Sequence, residues 1–201
     1  MLLSHIVGLF KDPESEWKKI RKENCSVGKC YCSHVLLLAV IPPLSFFIGL
    51  SQVGWTVGSS NVVEKLTVLI ALTYSILMFI SILVGIFSMG AMVYWMSKTY
   101  GEQQALPRCI GLAAYSLTPI LLIGIMGIYP ILWLNMLASL PALAYSIYLL
   151  YTGVPVMMGI SKDRGFLFSS AVLAAGLVML VAMMVVTVIL WDFGLAPRYA
   201  N

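Results

Sequence analysis

Apolar positions in this chain run in unbroken blocks, at residues 35–55, 66–95, 110–128, 131–151 and 166–191, with the charged residues gathered between them. Each block is near or above the ~20 residues a helix needs to cross a bilayer. Between Cys109 and Ser161 there is no Asp, Glu, Lys, Arg or His at all. Backbone amides in hydrocarbon find partners only within a helix or a closed barrel, and long apolar runs without alternation predict helices. The pattern therefore predicts an all-α membrane protein with five transmembrane helices. Gly127-Ile128-Tyr129-Pro130 divides the third block from the fourth, because glycine and proline favour a tight turn there. Whether this pair crosses fully or forms a re-entrant hairpin stays open.

Ahead of the first block the pattern changes to that of a surface helix. Asp12 can cap a helix that begins at Pro13, with Glu14 and Glu16 in its first turn and Lys18, Lys19, Arg21 and Lys22 toward its end. A short helix is predicted over residues 13–24. Trp17 and Ile20 share one face and would seat it on the lipid headgroups or on the ends of the spans. Residues 1–10 have an apolar face but no basic segment ahead of it and no small-residue cleavage site after it, so a cleavable signal peptide is not expected. Residues 1–33 thus read as a cytoplasmic amphipathic segment, 34–195 as the membrane domain and 196–201 as a short external tail.

Composition agrees: 61% of residues are hydrophobic, 10% are charged and the mean hydropathy is +0.97. A soluble domain carries roughly 25% charged residues. The net charge of +4 is spread over loops rather than over a soluble basic face, which argues against nucleic acid as a partner. Its placement instead predicts topology. Lys11, Lys18, Lys19, Arg21, Lys22, Lys29, Lys98, Arg108, Lys162 and Arg164 fall on one side, and Lys65 and Arg198 on the other, together the twelve basic residues of the chain. Ten against two places the N-terminus in the cytoplasm and the C-terminus outside. Trp55, Tyr94, Trp95, Tyr148, Tyr151 and Trp191 lie at block ends, where aromatic rings favour headgroup depth. Small residues one turn apart, such as Ser45 and Gly49 or Ala142 and Ser146, predict close helix packing within the bundle.

Candidate chemistry is sparse. No ionisable side chain falls within the blocks near the expected midplane, where ion-coupled transporters keep one. Asn135 is the most polar side chain there and is expected to bond between helices. Cys25, Cys30, Cys32 and His34 offer three thiols and an imidazole just before the first block, but Cys-x4-Cys-x-Cys-x-His lacks the two-residue knuckle of tetrahedral sites. Reduced juxtamembrane thiols are the reading preferred over a metal or redox site. Cys109 is read as a small hydrophobe. Hydrolase, zinc-helix, phosphate-loop and dinucleotide motifs are missing, so an enzyme is not expected and no cofactor is assigned. Pro42-Pro43, Pro119 and Pro141 interrupt the first, third and fourth blocks and predict kinks that shape the packed bundle.

Four features resemble the Yip family, the Ypt/Rab-interacting membrane proteins, in its bacterial branch. The leader Asp12-Pro13-Glu14-Ser15-Glu16-Trp17-Lys18-Lys19-Ile20 is similar to that family's proline, tryptophan and basic helix. Tyr115-Ser116-Leu117-Thr118-Pro119 resembles its Tyr-Ser-x-x-Pro signature, and Tyr148 to Pro155 its Tyr-x-x-Tyr-x-Gly-x-Pro signature, in which Tyr151, Gly153 and Pro155 would mark a helix exit. The five-span layout is the fourth. The resemblance implies a multi-pass protein of the bacterial inner membrane. In eukaryotic relatives it implies recruitment of prenylated Rab GTPases, which is not carried over, because residues 1–33 are short beside the cytoplasmic region those relatives use. The expected function is a non-enzymatic scaffold or partner-binding protein, with the lipid bilayer and a protein at the cytoplasmic face as partners. A small-molecule or lipid transporter or channel is the alternative, and homo-oligomerisation stays open.

Overall fold

The computed structural model describes residues 2–23, 34–56, 63–99 and 104–190. Two short helices come first, α1 (Leu2–Lys11) and α2 (Pro13–Lys22). Asp12 separates them and caps α2, its Oδ1 accepting from the Ser15 amide at 3.3 Å. The pair folds back on itself as a helical hairpin, so residues 2–11 form a second packed helix where the sequence suggested only an apolar face. Cys25, Cys30 and Cys32 lie outside the described residues.

The first span, Leu36–Val53, consists of α3 (Leu36–Ala39), α4 (Ile41–Ile48) and a π-helical turn at Gly49–Val53. Pro42 and Pro43 sit in the first turn of α4, where their missing amides cost nothing, so the proline pair restarts a helix rather than kinking one. Gly54, at φ +79°, turns the chain into a two-residue antiparallel ladder of β1 (Trp55–Thr56) with β2 (Val63–Glu64). The second span is the 32-residue α5 (Val68–Thr99), about 48 Å at 1.5 Å per residue and longer than the ~30 Å hydrocarbon core.

The third span is broken. Helix α6 (Leu106–Ser116) bends by 44° into α7 (Thr118–Ile123), which tightens into a 3-10 turn over Gly124–Ile128. After Tyr129 and Pro130 the chain returns through α8 (Leu132–Met158), and α9 (Lys162–Leu190) completes the bundle. Among the described residues four helices are thus long and apolar enough to cross, and five if the bent pair is one span, as the sequence predicts for an all-α membrane protein.

One element differs from expectation. Helix α8 does not end at Gly153: it continues through Pro155 to Met158 and stops at Gly159, whose φ of +73° supplies the left-handed cap, with its amide bonded to the Pro155 carbonyl at 2.9 Å. Gly153 has a different task, described below. Asn135 also differs, since its Nδ2 donates to the Tyr129 carbonyl at 2.9 Å and ties the turn to its own helix rather than to another.

Packing is concentrated at the end of the bundle where α2, α6 and the C-terminal half of α8 meet, with Trp17, Leu112, Tyr115, Leu149 and Val154 in one buried cluster. At the other end Gly49 packs so closely that an added Cβ would collide with the Gly127 carbonyl oxygen, which lets the first span touch the 3-10 turn backbone to backbone.

Candidate functional site

Three of the residues that stand out at the sequence level, Trp17, Tyr115 and Gly153, converge on the docked helix hairpin. Trp17 is completely buried, and its indole lies against the α8 backbone at Gly153, where an added Cβ would stand 2.7 Å from Cε2 and Cζ2. Tyr115 closes the opposite side edge-on, with ring centroids 6.3 Å apart and planes at 88°. The Trp17 Nε1 is buried without a hydrogen-bond partner, so the ring is held by packing alone. Gly153 is therefore a seat: it removes the one side chain that would occupy the space of the indole.

Around this seat lies a polar cluster that sequence reading missed. His5 Nδ1 meets Glu16 Oε1 at 2.6 Å and its Nε2 meets Glu23 Oε1 at 3.2 Å, while Lys19 Nζ donates to Glu16 Oε2 at 2.9 Å. The His5 ring also stands edge-on to Tyr115, with centroids 6.0 Å apart. Burial of Glu16 works against its carboxylate, but the bonds and charges of Lys19 and His5 outweigh it and hold the pKa below the ordinary 4.5. At Asp12 the side-chain and backbone bonds of Ser15 lower the pKa in the same direction. One signal in the sequence points to His5: it lies four residues before Leu9, so on a helix it shares the buried face and needs a partner.

His34, two residues ahead of the first span, packs its ring on Tyr115 at 4.1 Å and bonds Thr118 Oγ1 through Nε2 at 3.1 Å. Thr118 passes its own proton to the Ala114 carbonyl at 3.4 Å, so His34 donates from Nε2 and leaves Nδ1 bare and buried. Burial, with the nearby His5 charge, pushes the His34 pKa down to about 4. The histidine is a structural pin between the first span and the start of α7. Both it and Thr118 are 1% exposed, which closes this base–hydroxyl pair to any substrate. Among the described residues no three His, Cys, Asp or Glu side chains converge as metal ligands.

The remaining predicted positions are spread over the same bundle. Pro13 opens α2, and Pro119 opens α7 just after the break. Tyr148 is exposed and tilts against Tyr145, with centroids 5.7 Å apart. Tyr151 bonds Ser170 of α9 through its hydroxyl at 2.8 Å. Pro155 fills the space beside Gly165, where a Cβ would lie 2.5 Å from the proline Cγ, so the start of α9 packs on the end of α8. Two further groups clamp that end: the Gln104 amide donates to the Met158 carbonyl at 2.9 Å, and the Arg21 guanidinium lies over Gly159. A cation there complements the negative end of the helix dipole.

A family model described as the Yip1 domain matches residues 7–183, a stretch that includes Trp17, Tyr115 and Gly153. The chain belongs to the Yip1-domain family. It is 38% identical over 192 residues, 96% of this chain and 98% of the relative, to inner membrane protein YohC of Escherichia coli strain K12, and equally to the protein of the same description from Escherichia coli O6:H1 strain CFT073. No solved structure matches it. Membership makes this chain an integral membrane Yip-family protein with a relative in the bacterial inner membrane, and places it in no known enzyme family.

Proposed function

We propose that this Yip-family protein is a non-enzymatic membrane scaffold that presents its N-terminal helix hairpin to a protein partner at the cytoplasmic face of the inner membrane. The observation that supports it most is the seat itself. A bundle that leaves a glycine on α8 for the indole of Trp17 and takes Arg21 over Gly159 of the same helix, with Glu16–His5 tying α2 to α1, favours one orientation for α2. The outer face of α2 then presents Glu14, Lys18, Lys19 and Lys22 while the inner face is consumed by packing. A surface fixed in this way binds without first being ordered, which lowers the entropic cost of recognition.

The orientation is part of the proposal. The ten-to-two distribution of basic residues supports a cytoplasmic N-terminus and an external C-terminus. Reporter fusions at the C-terminus are expected to be active only outside the cytoplasm, and cytoplasmic activity would reverse the face assigned to the hairpin. The scaffold reading itself is tested in intact cells by placing a photo-crosslinking residue at Lys18 or Lys22. The expected result is a discrete adduct with one protein, lost when Trp17→Ala frees the helix. Adducts unchanged by Trp17→Ala, or formed with lipid alone, would exclude a docked presenting surface.

A further inference from the structure

Helices α7 and α8, which pack on one another, also line a shared cleft. Pro119 and Leu122 line one wall of a cleft of about 450 Å³, Pro141, Ala142 and Tyr145 line the other, and Phe10 of α1 closes one end. Each wall carries a proline: Pro119 in the first turn of α7, and Pro141 inside α8. Phe10 lies flat on Tyr145, with planes 6° apart and centroids 5.1 Å apart, and the Tyr145 hydroxyl donates to the Leu9 carbonyl at 2.8 Å. The end plate of the cleft is therefore a fixed part of the fold.

Three observations decide what fits it. First, both helical walls belong to the stretch between Cys109 and Ser161 that carries no charge, so the cleft lies in an uncharged, membrane-spanning part of the chain. Second, its lining is apolar, and its one hydroxyl is already bonded to Leu9, so water would lack the two to four polar partners it needs. Third, a volume near 450 Å³ falls within the ~300–1,000 Å³ of small-ligand sites. A single flexible hydrocarbon chain meets all three conditions. Lys11 follows Phe10 directly, is exposed and ends α1, whereas the Asp12 carboxylate is turned to the Ser15 amide. A cation beside the closed end complements a phosphate.

We propose that this cleft binds one acyl chain of an anionic phospholipid, drawn from the leaflet that holds the α1–α2 hairpin, with its phosphate at the Lys11 ammonium. The site needs no partner protein and stands whether or not the scaffold reading holds.

The test uses the full chain in nanodiscs of equal phosphatidylglycerol and phosphatidylcholine with identical acyl chains, released into a mass spectrometer under conditions that strip loosely held lipid. Wild type is expected to retain one phospholipid per chain, enriched in phosphatidylglycerol. Ala142→Val and Ala142→Phe fill the cleft progressively and should lower the retained fraction in that order, by roughly tenfold for phenylalanine, as the displaced methylenes lose their burial. Leu140→Phe, on the exposed side of the same helix, should leave retention unchanged. Lys11→Gln should keep the lipid and abolish the preference for phosphatidylglycerol. Should Ala142→Phe fail to fold, Ala142→Val alone still reads the gradient. Equal retention in wild type and the Ala142 variants, no retained lipid in wild type, or a retained free fatty acid or isoprenoid would overturn the proposal, and a preference unchanged in Lys11→Gln would overturn its headgroup half.

Discussion

Gly153→Ala is a substitution whose sign depends on one contact. In an isolated helix it stabilises, because alanine exceeds glycine in helix propensity by about 0.8–1 kcal/mol. Gly153 lies inside α8. Its new Cβ, however, would stand 2.7 Å from two carbons of the Trp17 ring and 2.9 Å from Leu112 Cδ1. The leucine methyl can rotate away, but the indole is fully buried and backed by Tyr115. Overpacking of this kind costs about 1–3 kcal/mol, so the net change in wild type should be a loss of roughly 1 kcal/mol. With Trp17→Ala in place the obstacle is gone, and Gly153→Ala should then stabilise by up to ~1 kcal/mol. The assay is a double-mutant cycle on protein in lipid nanodiscs, read by thermal unfolding and by hydrogen exchange of the α2 amides. Gly153→Ala alone should speed exchange across α2, and the double variant should unfold later than Trp17→Ala. The same sign for Gly153→Ala in both backgrounds would refute the seat.

Other expectations rest on the same geometry. Gly49→Ala should destabilise more than Gly153→Ala, since its Cβ meets the Gly127 carbonyl, backbone that cannot rotate aside, and the unfolding temperatures of the two variants compare them directly. The Glu16 carboxyl titrates below its ordinary 4.5, so its contribution to docking is complete above that value and is lost as pH falls through the folded pKa. Protection of the α2 amides, corrected for the intrinsic pH dependence of exchange, should therefore fall on acidification, and Glu16→Gln should remove that limb. His34, depressed from 6.5 to about 4, contributes stability above 6.5 that is lost as pH falls toward 4, on the order of 3 kcal/mol, and unfolding measured across that window should show it. Tyr151→Phe should cost only about 0.5 kcal/mol, because Ser170 keeps its bond to the Phe166 carbonyl, and a shift well beyond the ~0.5–1.5 kcal/mol of one hydrogen bond would contradict it.

The spans were legible because apolar block length is a direct consequence of bilayer thickness, and α2 was legible because Asp12, Pro13 and the charge gradient mark its ends. The seat was not. Gly153 followed by Pro155 carries the local marks of a helix exit, and only tertiary context shows that α8 passes through both: Pro155 is tolerated because its ring fills the gap at Gly165, and Gly153 because Trp17 takes the place of its missing side chain. The Pro42-Pro43 pair read as a kink for the same reason, since nothing local says that the helix restarts at Ile41. The His5–Glu16 bond joins residues 11 apart across a helical hairpin, a distance that no single-helix periodicity reports.

The seat also sets an order of events during synthesis. Leu9 and its partner Tyr145 are 136 residues apart, and Gly153 follows later still. At ~5–20 residues per second, the hairpin leaves the ribosome roughly 7–27 seconds before its docking groove is made. Throughout that interval Ile6, Leu9, Trp17 and Ile20 have no bundle to cover them, and an apolar helix face beside lysines is suited to rest on a membrane surface. The nascent hairpin is expected to rest on the membrane surface until the fourth span supplies the groove that covers it.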